Sequence, residues 1–155
     1  MKKILLISFI TLLVVMANSN VQAQANWEAG IRGGDNFSVE ATIPISAKPR
    51  VKPVVYFDRF GVAGYFDWMF ALDGGPRGLK FFPGVGPEFM FGNDRFDFNI
   101  AGDFGVEYSF DFPMTIGFDW RPHFATTNDF NFYAGNWGFI ARFRFGEGVK
   151  FRATD

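Results

Sequence analysis

Cysteine is absent from this 155-residue chain, and histidine occurs once, at position 123. Without cysteine there are no disulfides, no thiolate metal sites and no thiol to carry a lipid anchor behind an export signal. A single imidazole offers little for metal binding or base catalysis. Long apolar runs are missing beyond the first two dozen residues, so any passage through a bilayer would have to be made by strands. Nor is there a basic surplus. With Lys2 and Lys3 lost in a leader, the 15 basic residues fall to 13 against 16 acidic ones, and a net charge of −3 argues against a nucleic-acid partner.

The leader is residues 1–23. Lys2-Lys3 opens it, residues 4–17 are apolar, and Val21-Gln22-Ala23 is a small-residue cleavage site. These are the marks of a cleaved secretory signal peptide, with cleavage after Ala25 equally allowed. Its apolar stretch falls short of the ~20 residues of a spanning helix, which disfavours an uncleaved anchor.

Phenylalanine is abundant, with 23 residues, and aromatics make up 20% of the chain, as much as charged residues do. A small soluble domain has too little interior to hide so many rings. Their arrangement gives the reason for them. From Arg95 to Asp111 the chain alternates for seventeen residues: Phe96, Phe98, Ile100, Phe104, Val106, Tyr108 and Phe110 at even positions, Arg95, Asp97, Asp103, Glu107 and Asp111 among the odd ones. Side chains of a strand point to opposite faces, so this is one apolar and one charged face.

Turn residues divide the chain after the leader into eight such runs, at 27–33, 36–45, 51–57, 60–72, 79–91, 95–110, 113–121 and 136–145. None of the residues on the apolar faces is charged, where roughly nine would be expected by chance. The opposite faces hold Glu28, Arg32, Glu40, Lys52, Asp67, Lys80, Glu88, Asp97, Asp103, Glu107, Asp119, Arg121, Arg142 and Arg144. A soluble barrel would turn Phe inward and charge outward; lipid reverses that preference, because a charge on the lipid face costs about 2–4 kcal/mol at the midplane. The pattern therefore predicts an all-β fold, an eight-stranded antiparallel up-and-down transmembrane β-barrel over residues 24–146, with a periplasmic tail at 147–155. Trp27, Trp68 and Tyr108 would belt the periplasmic end, and Trp120 and Trp137 the outer end. Pro83 and Pro87 interrupt the fifth run and suggest a bulge there.

The segments Gly84-Val85-Gly86-Pro87-Glu88, Gly105-Val106-Glu107-Tyr108-Ser109-Phe110, Asp119-Trp120-Arg121-Pro122 and Ala141-Arg142-Phe143-Arg144-Phe145 together resemble a small outer-membrane β-barrel protein of the Bacteroidetes-like type. That resemblance covers most of the chain after the leader. It implies a bacterial outer-membrane location, lipid as surroundings, and the barrel assembly machinery as partner. Phe143 and Phe145 resemble the aromatic terminal-strand signal that this machinery reads, although ten further residues follow Phe145.

Candidate sites are few. Asp119 and Arg121 share a face of the seventh run, Arg142 and Arg144 share one of the eighth, and Glu107 lies on the sixth. These five form an expected lumen charge cluster, either a narrow ion path or a salt-bridged core that satisfies itself. The lipid A deacylase barrels, which the chain resembles in size and strand number, carry a His-x-Ser arrangement. Here the chain reads His123-Phe124-Ala125, so no catalytic residue is assigned. Gly84-Val85-Gly86 lacks the helix and Lys-Ser/Thr of a phosphate loop, and Asp94, Asp97 and Asp103 lie along a strand rather than a calcium loop. No cofactor or metal is expected. Residues 122–135, with Phe124, Phe130, Phe132 and Tyr133 among Thr and Asn, form the one long outer connection, a hairpin extension or a binding loop. The reading adopted is a monomeric, non-enzymatic membrane barrel with a structural or envelope role. A minor small-ion pore and a secreted lipocalin-like carrier of an apolar ligand are its alternatives.

Overall fold

The computed structural model describes residues 27–92, 96–127 and 130–146, and these are all-β. The leader at 1–23 and the tail at 147–155 lie outside the described residues. The strands are β1 (Trp27–Gly34), β2 (Ser38–Pro44), β3 (Pro49–Tyr56), β4 (Gly61–Trp68), β5 (Phe70–Ala71), β6 (Leu79–Phe91), β7 (Phe96–Ser109), β8 (Met114–Trp120), β9 (His123–Ala125), β10 (Asn131–Tyr133) and β11 (Trp137–Phe145).

Eight of them form the wall, in the order β1-β2-β3-β4-β6-β7-β8-β11, each antiparallel to the next. The last returns to the first: β11 pairs with β1 from Trp27↔Phe145 to Gly34↔Gly138 and closes the cylinder. Closure removes the free edges on which an open sheet would aggregate. Each of the eight alternating runs in the sequence supplies one wall strand. The remaining three elements are extensions. β5 prolongs β4 along β6, while β9 and β10 form a hairpin that prolongs β8 along Asn99–Ala101 of β7.

Residue-by-residue alternation of exposure runs around this wall. On β3, Arg50, Lys52, Val54 and Tyr56 are buried while their neighbours are half-exposed. On β7, Asn99, Ala101, Asp103 and Glu107 are buried while Ile100, Phe104 and Val106 are exposed. The buried set is the lumen-facing one and the apolar set faces outward, as the alternation requires. Rings pave the outside in cross-strand contacts such as Phe89–Phe98 at 5.3 Å and Phe118–Phe139 at 5.0 Å between centroids. Trp27 stacks on Phe145 at one end of the cylinder, where Trp68 and Tyr108 also sit. Trp120 stacks on Trp137 at 5.5 Å at the other end.

The two prolines of β6 do not produce a bulge, and that expectation is corrected. Gly61↔Met90, Ala63↔Glu88, Phe66↔Val85 and Phe70↔Phe81 all keep one register, so no residue is inserted. Instead, pairing with β4 lapses beside Gly64–Tyr65, opposite Pro87, and again at Trp68–Met69, opposite Pro83. Each proline lacks the donor that the ladder needs there. The other edge of β6 is intact, with thirteen pairs to β7 from Leu79↔Tyr108 to Phe91↔Phe96. Close backbone approach holds the weakened seam together: a Cβ on Gly86 would collide with the Gly64 carbonyl and the Tyr65 Cα. Gly64 itself faces open space.

These two glycines give a paired test. Gly86→Ala should lower the thermal unfolding midpoint markedly or prevent folding, and Gly64→Ala should leave it within a few degrees, as followed by circular dichroism and by the heat-modifiability of the band on a gel. Equal tolerance at both positions would contradict the β4–β6 seam.

Candidate functional site

The chemistry of this molecule is concentrated in its lumen. Inward positions on every wall strand carry polar or charged groups, and their side chains cross the cylinder to reach one another. Arg121, just past β8, lies 2.6 Å from Glu40 on β2 and 3.3 Å from Asp103 on β7. Asp103 pairs with Lys52 on β3, and Lys52 lies 3.0 Å from Asp67 on β4. Asp67 then meets Arg50 at 3.0 Å, and Arg50 meets Glu107 on β7 at 2.9 Å. Glu107 pairs with Arg142 on β11, which returns to Glu40 at 2.9 Å. The circuit is closed: four cations and four carboxylates alternate around a ring. All eight side chains are at most 5% exposed.

Further pairs hang from this ring. Arg142 also lies 2.9 Å from Glu28, whose carboxylate accepts a hydrogen bond from Thr115 Oγ1 at 2.9 Å. Asp119 lies 2.8 Å from Arg121 and accepts from Arg32 Nε at 2.7 Å. Arg32 Nη2 donates to the Asn136 carbonyl at 3.1 Å. That carbonyl also accepts from Arg121 N at 2.9 Å, held by a positive φ of 134° at Asn136 that few non-glycine residues adopt. Phe82 is the apolar member, wholly buried beneath Lys52 at 4.2 Å and Arg50 at 4.7 Å from its ring centroid. Cations over an aromatic face recover part of their lost hydration.

Four of the five residues singled out in the sequence, Glu107, Asp119, Arg121 and Arg142, belong to this network. Arg144 does not: it stands half-exposed at the Trp27 end and donates to the Phe110 and Phe112 carbonyls. Its parity matches Arg142, but two residues further along a strand that ends at Phe145 it has left the lumen. Asp97 likewise reaches the opposite rim, where it pairs with Arg59. Arg50 lies outside the third alternating run, which opens at residue 51, because the strand itself begins at Pro49. Tyr56, Tyr65, Phe82 and Thr115 were also missed; each sits at an inward parity, but none is charged. Phe143 and Phe145 lie outward on β11 and contact each other at 5.1 Å.

The single histidine lies on β9, stacked on Tyr133 at 5.1 Å. The nearby hydroxyls serve the backbone of β7: Thr126 Oγ1 donates to the Phe98 carbonyl at 2.7 Å and Thr127 Oγ1 accepts from Phe98 N at 2.8 Å. The hairpin carrying them holds Phe124 against Phe132 and Phe130 on the outer surface. Among the described residues no three His, Cys, Asp or Glu side chains gather as a metal site.

Compared with protein families, with curated proteins and with solved structures, the chain shows no match.

Removing one partner of a buried ion pair leaves the other uncompensated, at about 3–5 kcal/mol. Arg142→Met leaves Glu28 without a cation and takes one of two from Glu40 and Glu107, so it should destabilise by about that amount in urea-induced unfolding. Arg144→Met should cost far less, about 1 kcal/mol or below, since its partners are carbonyls at a solvated rim. Similar losses for the two variants would break the assignment of Arg142 to the ring.

Proposed function

We propose that this chain is an integral β-barrel of a bacterial outer membrane, with a structural or envelope role and a lumen sealed by its own side chains. The observation that carries this reading is the inversion of the cylinder. Ile31, Val39, Phe104 and Phe139 are 51%, 41%, 37% and 71% exposed, while Lys52, Asp67, Asp119 and Arg121 are 0% exposed. In water that distribution would expose a continuous aromatic and aliphatic sleeve and bury charge at a desolvation cost. In a bilayer both features are favourable, because hydrocarbon accepts the sleeve and the lumen is the only place for charge. Stacked Trp120 and Trp137 at one end, with Trp27 and Trp68 at the other, suit the two membrane interfaces.

The same inversion weighs against a lipocalin-like carrier, whose cavity would be lined with the rings that here face outward. The ring of ion pairs weighs against a pore. An eight-stranded barrel is only wide enough for its own side chains, and here Arg50, Arg121 and Arg142 reach across to carboxylates on distant strands. Assembly by a barrel-inserting machinery through Phe143 and Phe145 and a cleaved leader belong to the same proposal.

Phe104→Arg places a charge on the outward face and should cost about 2–4 kcal/mol in a bilayer. The expected outcome is loss of the heat-modifiable form from the outer-membrane fraction, with Phe104→Leu assembling normally. The purified barrel should be silent in planar bilayers at neutral pH. Recovery of Phe104→Arg at wild-type levels in the membrane would overturn the membrane reading, and discrete conductance steps would overturn the sealed lumen.

A further inference from the structure

The wall of the cylinder is uneven in height. β1 and β2 are 8 and 7 residues long, whereas β6 and β7 are 13 and 14. In the circular order of the wall the two short strands stand diametrically opposite the two long ones. The extra length lies at the Trp120 end. From Phe104, which pairs with Trp120, β7 continues to Phe96. On the other side of Trp120, β11 opens at Trp137, and β1 stops at Gly34 opposite Gly138. The β9–β10 hairpin raises the wall beside β7 through Ile100↔Phe124 and Phe124↔Phe132.

Rings cover the outward side of this raised part. Phe60 meets Phe91 at 5.8 Å, Phe91 meets Phe96 at 5.6 Å, and Phe89 meets Phe98 at 5.3 Å. Ile100 carries the face across to Phe124, which holds Phe132 at 4.8 Å and Phe130 at 5.4 Å. Phe60, Phe91, Phe96, Phe124, Phe130 and Phe132 are each more than 40% exposed. The nearest charged side chains, Arg59 and Asp97, pair with each other at the rim.

Continuity of this face across the hairpin depends on a bulge. Trp120 and His123 are three residues apart, but their partners Trp137 and Tyr133 are four apart. One residue is inserted at 134–136, where Asn136 holds its positive φ. A single insertion reverses the alternation beyond it. Phe132 and Phe130 thereby join the outward set of Trp137 and Phe139 despite their opposite parity, and Tyr133 takes the other side against His123. An unbroken register would turn Phe132 and Phe130 to the lumen side.

We propose that this raised face, with the β9–β10 hairpin, is a lipid-binding surface held against acyl chains, so that hydrocarbon stands higher along β6, β7, β9 and β10 than along β1 and β2. The inference rests on the membrane reading and gives that reading a direction around the cylinder. Continuity selects the occupant. A protein-docking patch is bounded by a polar rim, but here Ile100, Gly102 and Phe104 run on one face of β7 straight into the outward sleeve. Strands of 13 and 14 residues exceed the ~9–11 that cross a bilayer, and strands of 7 and 8 fall short of it. A bilayer meets such mismatch by thickening and thinning locally.

The chain has no cysteine of its own, so single cysteines can each carry a bimane fluorophore on the full chain in phosphatidylcholine vesicles. Phe132→Cys and Phe124→Cys report the hairpin, Phe104→Cys the wall, and Ser46→Cys an exposed turn at the other end. Bromines on the acyl chains should quench both hairpin labels as strongly as the Phe104→Cys label, and aqueous iodide should quench only Ser46→Cys. An iodide response at either hairpin position, with Phe104→Cys still quenched from lipid, overturns this inference and leaves the membrane reading standing. Hairpin labels shielded from both quenchers overturn it in favour of a second copy of the chain on this face. Iodide quenching of Phe104→Cys sinks the membrane reading and this inference with it. If one hairpin variant does not fold, the other decides.

Discussion

Charge taken out of water must find opposite charge at once, and that requirement governs the interior of this barrel. Arg50, Lys52, Arg121 and Arg142 would each lose several kcal/mol of hydration if buried alone. Each instead touches two or more carboxylates, and each ring carboxylate touches two or more cations. Alternation around a closed ring is the arrangement in which no member lies at an end with half its partners missing. The glycines beside it follow from the same need for room. A Cβ on Gly138 would collide with the Arg32 guanidinium, and one on Gly105 would meet the Phe82 ring. Long charged side chains fit in an eight-stranded cylinder only because their neighbours have no side chain.

The outside obeys the complementary rule. Once the lumen is filled by charge, phenylalanine is left the outward face, and among the wall strands the strand period places every phenylalanine there except Phe82, which lies beneath Lys52 and Arg50. A soluble barrel with this sequence would be inside out. The architecture thus divides its chemistry between two sides, with an apolar face at the wall and a self-contained set of ion pairs within.

The fold was legible because strand period is a local property. All eight wall strands, their faces and the aromatic ends could be read from alternation and turn residues alone. What could not be read was register. Asp67 and Asp103 are assigned inward by parity, but that Lys52 joins them depends on how β3, β4 and β7 are staggered around the cylinder, which no single strand encodes. Arg50 falls outside the alternating run at 51–57, because the strand opens two residues earlier, at Pro49. Arg144 was misplaced for the opposite reason: parity says which face a side chain takes, and says nothing of whether the lumen still encloses it. The proline seam failed similarly. A bulge and a lapse in pairing remove the same donor, and only the constant register on either side of Pro87 separates them.

Register is also where the ring of charges has its largest consequence. A slip of one residue between neighbouring strands turns every side chain to the wrong face and is penalised by the mismatch of charge and apolar surface that follows. A slip of two preserves the faces, so the hydrophobic pattern offers no defence against it. The ring does. Moving β11 by two residues against β1 so that Ile140 stands where Arg142 now meets Glu28, Glu40 and Glu107 would leave Glu28 without its cation and Glu40 and Glu107 with one each, to Arg121 and Arg50. Because the ring draws on β2, β3, β4, β7, β8–β9 and β11 together, a slip at any of these strands opens the circuit. The aromatic sleeve fixes which side faces out, and the ion pairs fix the stagger at which the cylinder closes. An apolar core of equal volume could match the stability, but it would accept either stagger.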